Sequence, residues 1–118
     1  MISNGIDLIN INRFDTLKNN VSFMKKIFND NEIEYIKKAN YNSKTIAGLY
    51  ASKEAFLKAI KKGINDYSLL DIEVLHDDNN APYIVLKNQL KKTYPNINMS
   101  LSISHDKDYA IAMVTLIK

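Results

Sequence analysis

The distribution of helical and strand patterns along the 118 residues predicts an α+β fold. Three observations carry this reading. Thr45 to Lys62 repeats apolar residues (Ile46, Leu49, Tyr50, Phe56, Leu57, Ile60) at helical spacing, which marks one long amphipathic helix. Asp71–Leu75 with Tyr83–Leu86, and Ile97–Ser104 with Tyr109–Ile117, form two pairs of strand-like segments, each joined by a short polar turn as in antiparallel hairpins. Helices and strands are also segregated rather than alternating, which argues against a parallel βαβ arrangement. The expectation is one domain over 1–118, with a small antiparallel sheet packed against one long and several short helices.

The remaining elements follow in order. Ile6–Ile11 is β-branched and mostly apolar and reads as a first strand. Arg13–Asn19 predicts a short helix, and Phe23, Ile27 and Phe28 mark a second helical stripe. Asn29 or Asp30 can cap a helix over about residues 31–38. Gly63 is the expected C-cap of the long helix. Asn88–Thr93 predicts a last short helix, stopped by Pro95.

Composition narrows the function. Hydrophobic residues make up 46% and charged residues 25%, the proportions of an ordinary globular domain. No apolar run approaches the ~20 residues that span a bilayer, and Met1–Gly5 lacks the basic start of a leader peptide. A cytoplasmic protein without membrane attachment is the expectation. The chain has no cysteine, which excludes disulfides and thiol catalysis, and two histidines, too few for a His-rich metal centre. A net charge of +3 favours acidic partners without specifying nucleic acid. So short a chain builds a deep closed site with difficulty, which favours a cleft shared between copies.

Four residues stand out. Asp7 lies within an apolar strand, where a carboxylate needs a partner. Lys53 falls in the middle of the apolar arc of the long helix. It either snorkels to water or faces a carboxylate or a phosphate. Glu54 and Lys58 are one helical turn apart. They form either a surface ion pair of about 0.3–0.5 kcal/mol or a carboxylate for a cation beside a lysine for phosphate oxygens. A strand Asp and a helix Glu suit Mg²⁺, which takes one or two protein carboxylates and completes its shell with water and substrate phosphates.

Segments spread along the whole chain also resemble one family. Gly5-Ile6-Asp7-Leu8 followed by Arg13-Phe14 is similar to the opening of the bacterial holo-acyl-carrier-protein synthases. Tyr50 to Ala59, with Lys53-Glu54 and Lys58 four residues after the Glu, resembles the signature helix of the phosphopantetheinyl transferases. Asp71-Ile72-Glu73-Val74 with Pro82, and Ser102-Ile103-Ser104-His105 with Tyr109-Ala110, fit in the same order.

The resemblance implies the 4'-phosphopantetheinyl transferase fold and transfer of the phosphopantetheine arm of coenzyme A to a serine of acyl carrier protein for fatty-acid synthesis. It implies Mg²⁺ held by Asp7 and Glu54, with Lys58 on the coenzyme A phosphates. Glu54 or a water on the metal would take the serine proton. Lys53 would lie near the carboxylates, His105 near the adenosine end, and Lys62 and Gly63 beside the phosphates. Arg13, with Lys25 and Lys26, would face the acidic helix of the carrier protein, and a homotrimer would place sites between subunits. Leu49 stands where the family usually has Arg, Lys61-Lys62 replaces Gly-Thr before Gly63, and Ala81 replaces a turn Gly beside Asn79-Asn80. Two rivals are a transferase of broad carrier specificity and a small basic binding module. The module leaves Asp7 and Lys53 without a role.

Overall fold

The structure is a computed structural model that describes residues 1–117. Strand β1 (Ile2–Asn10) leads through a 3-10 turn (Ile11–Arg13) into three short helices: α1 (Phe14–Leu17), α2 (Val21–Ile27) and α3 (Asp30–Lys38). The long helix α4 (Ser43–Ala59) follows. A second 3-10 turn (Leu69–Asp71) precedes the hairpin β2 (Ile72–His76) and β3 (Pro82–Leu86), then α5 (Asn88–Thr93) and the hairpin β4 (Asn98–Asp106) and β5 (Tyr109–Ile117). The described strands form two antiparallel sheets rather than the single one expected. One has the order β1-β5-β4 and the other is β2-β3.

The three-stranded sheet brings the two chain ends together, with Ile2 opposite Ile117 and Asp7 opposite Ala112. Alternation divides its faces. Gly5 and Ile9 of β1 and Ala110, Ala112, Val114 and Leu116 of β5 are buried, while Asp7 on the same face is partly open. On the outer face Ile2, Ile6, Leu8, Tyr109, Met113 and Ile117 are all exposed, from 45% to 69%. The first strand is therefore apolar without being buried on both faces.

Helix α4 packs chiefly on β1 and β5. Its Ala47, Ala51, Ala55 and Ala59 recur every fourth residue and are all buried, so they form one continuous small-residue stripe. The approach is so close that a Cβ on Gly5 would collide with the backbone of Ala55 and stand 2.5 Å from the Ala59 nitrogen. Ser3 Oγ also donates to the Ala59 carbonyl at 2.5 Å. The glycine at position 5 is thus required by space, and it sets β1 directly on the helix.

Caps explain the helix ends. Asn29 and Glu32 form a complete capping box on α3. Helix α4 ends earlier than its sequence pattern suggests. Ile60 is the C-cap, and Lys61 takes the left-handed conformation at φ 63°. The Lys62 amide donates to the Leu57 carbonyl (2.9 Å) and the Lys61 amide to the Lys58 carbonyl (3.1 Å), the two bonds of a Schellman stop. Gly63 is therefore not the cap; its amide donates to Asp66 Oδ2 at 2.6 Å. Asn80, at φ 61°, supplies the left-handed residue of the β2–β3 turn.

Candidate functional site

The crossing of β1 and α4 places three of the four singled-out residues together. Asp7 projects from the inner face of β1 with its side chain 14% exposed, and Lys58, in the last turn of α4, donates to its Oδ1 at 3.0 Å. The Glu54–Lys58 surface pair expected from spacing is thus replaced by a bond between residues 51 positions apart. Lys58 is half exposed. Glu54, one turn earlier, is partly buried.

Electrostatics tie these groups into one cluster. Burial raises the Glu54 pKa above its ordinary 4.5. The neighbouring Asp7 charge adds to this, while a hydrogen bond from Tyr50 and the charges of Lys58 and Arg13 act against it. Burial and the Glu54 carboxylate raise Tyr50 in turn. The Tyr50 ring packs on Phe14 at 5.5 Å and lies under the Arg13 guanidinium at 6.0 Å. Tyr50 is the site residue that the sequence reading did not single out, although it stands in the signature helix one turn before Glu54. Arg13 is exposed at the rim.

Two neighbouring carboxylates beside one lysine suit a divalent cation and phosphate oxygens. Among the described residues no cluster of three or more His, Asp or Glu is placed to hold a metal. Asp7 and Glu54 are therefore the hard-oxygen pair this site offers, and a cation there would need ligands from elsewhere, as Mg²⁺ commonly does. In the structure the Lys58 ammonium supplies positive charge at Asp7.

Lys53 requires a correction. Although Glu54 is the next residue, the Lys53 side chain is directed away from the Asp7–Glu54 pair, does not reach water and is not placed to touch a cofactor. Its side chain is wholly buried beside Glu32, also wholly buried, with Nζ to Glu32 Oε1 at 2.7 Å. The other two N–H groups donate to the Ile27 carbonyl (2.8 Å) and the Leu69 carbonyl (2.9 Å), so every ammonium donor is used. Glu32 Oε2 accepts from the Val74 amide at 2.9 Å. Burial pushes Lys53 down and Glu32 up, each opposed by the pair itself. The two side chains bind α4 to the end of α2, the start of α3, the second 3-10 turn and β2. The capping pattern Asn29-x-x-Glu32 was visible in the sequence, but nothing local links it to Lys53.

The other predicted residues are dispersed. His105 lies near the end of β4 over the first half of α4, where a Cβ on Gly48 would be 3.3 Å from its Nε2. Gly48 precedes Glu54 by six residues, about 9 Å along the helix. His105, Thr45, Gly48, Leu49 and His76 line a separate hollow of ≈ 210 Å³. Burial and the charge of Lys44 lower the His105 pKa below 6.5. Lys62 and Gly63 are exposed just beyond the end of α4. Lys25 and Lys26 are exposed in the last turn of α2.

Comparison with known proteins matches this arrangement to a family. The model of the 4'-phosphopantetheinyl transferase superfamily matches residues 3–114. The chain belongs to the 4'-phosphopantetheinyl transferase superfamily. Two relatives of this superfamily named holo-[acyl-carrier-protein] synthase come from Finegoldia magna and Caldicellulosiruptor saccharolyticus. The first is 40% identical, covering 95% of this chain and 92% of the relative. The second is 42% identical, covering 92% and 89%. The crystal structure of Helicobacter pylori holo-[acyl-carrier-protein] synthase in complex with coenzyme A superposes with a TM-score of 0.83 at 38% identity, covering 99% of this chain and all of that one. The α+β architecture is thus that of the phosphopantetheinyl transferases, and the protein is a transferase of that superfamily.

Proposed function

We propose that this protein is a single-domain, Mg²⁺-dependent cytoplasmic enzyme that transfers 4'-phosphopantetheine from coenzyme A to a serine of apo-acyl carrier protein in fatty-acid synthesis. The meeting of Asp7, Glu54 and Lys58 where β1 crosses α4 carries this reading. Relatives named for the activity cover nearly the whole chain, and a neighbour of the same fold binds coenzyme A.

The chemistry follows from the residues. The serine oxygen attacks the phosphorus next to pantetheine, a new P–O bond forms, and the pyrophosphate bond breaks to release adenosine 3',5'-bisphosphate. Glu54, its pKa raised by burial and by Asp7, or a water on the metal would take the hydroxyl proton. Lys58 leaves Asp7 to meet phosphate oxygens. Mg²⁺ held by Asp7 and Glu54 would supply neutralisation of phosphate charge. Arg13, fixed over Tyr50 at the rim, together with Lys25 and Lys26, would steer an acidic carrier protein. The apolar outer face of β1 and β5 supports self-association, because a monomer rarely leaves such a patch uncovered, and the family resemblance makes a homotrimer the expected assembly.

The test is incubation with apo-acyl carrier protein, coenzyme A and Mg²⁺, read by mass spectrometry. Addition of one phosphopantetheine per carrier is expected, and no added mass would overturn the reading. Asp7→Ala and Glu54→Ala should abolish transfer with folding retained, and wild-type rates in either would remove these residues from the metal site. Light scattering should give three times the chain mass.

A further inference from the structure

Helices α2 and α3 enclose a groove of ≈ 670 Å³ together with Leu70 and the start of α5. This volume falls within the range of small-molecule sites. Of the residues assigned to the proposed transfer, only Lys25 lines it; Asp7, Arg13, Tyr50, Glu54, Lys58 and His105 do not. We propose that this groove binds a small amphiphilic anion, a carboxylate with an unbranched apolar tail.

The walls fit the tail. Val21, Met24, Phe28, Ile33 and Leu70 form them, and Val21 is 64% exposed in the first turn of α2. An apolar chain laid against these side chains removes that surface from water.

The polar groups fit the head. Lys18, Lys25 and Lys87 line the groove against one carboxylate, Asp30. Lys18 is held by the Tyr41 carbonyl and Ser43, and Lys87 pairs with Glu73 at 3.2 Å. Lys25 has no ion pair among the described residues and is the free cation of the rim. Asn29 also lines the groove. Its Oδ1 is committed to the Glu32 amide, which fixes the side-chain orientation. Its Nδ2 is the one buried side-chain donor or acceptor without a partner among the described residues. Such a group is unfavourable while unpaired, and a carboxylate oxygen reaching it after a small shift would satisfy it. The N-terminus of α3 lies at the same point, and its dipole favours negative charge. Tyr41 and Asn88, both in the lining, hold left-handed conformations at φ 55° and 49°. Such residues cluster at ligand sites.

Calorimetry on the full chain tests this, with decanoate, decyl phosphate, decanol and acetate as probes. Decanoate is expected to bind saturably at one site per chain. Acetate lacks the tail and decanol the charge, so each should bind at least about tenfold more weakly. Val21→Glu, at an exposed position, and Lys25→Glu should each weaken decanoate by about tenfold or more while circular dichroism stays unchanged. No saturable decanoate binding, equal binding of decanol, or full affinity in both variants would overturn the proposal. Tighter binding of decyl phosphate would replace the carboxylate head by a phosphate and overturn that part. The readout is binding alone, so it stands or falls independently of transferase activity.

Discussion

Lys53→Met isolates the buried ion pair and should unfold a large part of this protein's stability. The substitution preserves the stem and removes the ammonium. It leaves the Glu32 carboxylate without its countercharge, and the Ile27 and Leu69 carbonyls without a donor, in a site that water does not reach. Removing one partner of a buried pair costs about 3–5 kcal/mol, a large share of the roughly 5–15 kcal/mol that holds a domain together. With a urea slope of about 2 kcal/mol/M, the midpoint falls by roughly 2 M. Urea unfolding followed by far-ultraviolet circular dichroism measures this. The double variant Lys53→Met/Glu32→Leu gives a sharper test. An isolated buried pair can be exchanged for apolar residues at little cost. Here the Ile27 and Leu69 carbonyls and the Asn29 and Val74 amides all bond to the pair. The four lost bonds at about 1 kcal/mol each keep the double variant destabilised. A loss below about 1 kcal/mol in the single variant, or wild-type stability in the double one, would refute the account of the pair as a hub. Burial raises Glu32, so acidification neutralises the stranded carboxylate and should narrow the deficit of Lys53→Met.

Gly5→Ala drives a methyl group into the backbone of Ala55 and Ala59. It should cost about 1–3 kcal/mol in urea unfolding and, by lifting β1 and Asp7 from α4, reduce transfer; a neutral effect on both would contradict the close approach. Lys61→Gly relieves the left-handed lysine at the end of α4 and should raise stability by about 0.5–1 kcal/mol, the left-handed cost less the extra chain entropy of glycine. The raised Glu54 pKa means that the stability linked to this group in metal-free protein is full below 4.5 and is lost as pH rises through the folded value. Metal-free Glu54→Gln should therefore melt above wild type at pH 7 and close to it in acid, whereas a lower Tm at pH 7 would reverse the sign. His105 is lowered by burial and Lys44, so its stability contribution is present above 6.5 and lost as pH falls through the folded value. Its imidazole signals should titrate below 6.5 by NMR.

The legible parts were those that local physics fixes. The apolar period of α4 and the positions of β4 and β5 appear nearly as expected, because these elements are marked by patterns that neighbouring residues display. The ends were less legible. The Schellman bonds form with Lys61 in the left-handed position, against intrinsic preference, whereas the usual preference for glycine points to Gly63. Asp7, Glu54 and Lys58 stood out by residue type and by likeness to a family motif. Their pairing did not, since helical spacing joined Glu54 to Lys58 whereas folding joined Lys58 to Asp7.

Lys53 shows where the division falls. The sequence by itself determined that a lysine occupies the apolar arc of the long helix, beside a glutamate and one turn from a second lysine, because helical geometry follows from adjacent residues. Only the tertiary structure decided that this lysine faces Glu32 in the core and not the carboxylates at the surface. Its partners lie 16 to 26 residues away on separate elements, and the energy of a buried charge depends on which of them the packing delivers.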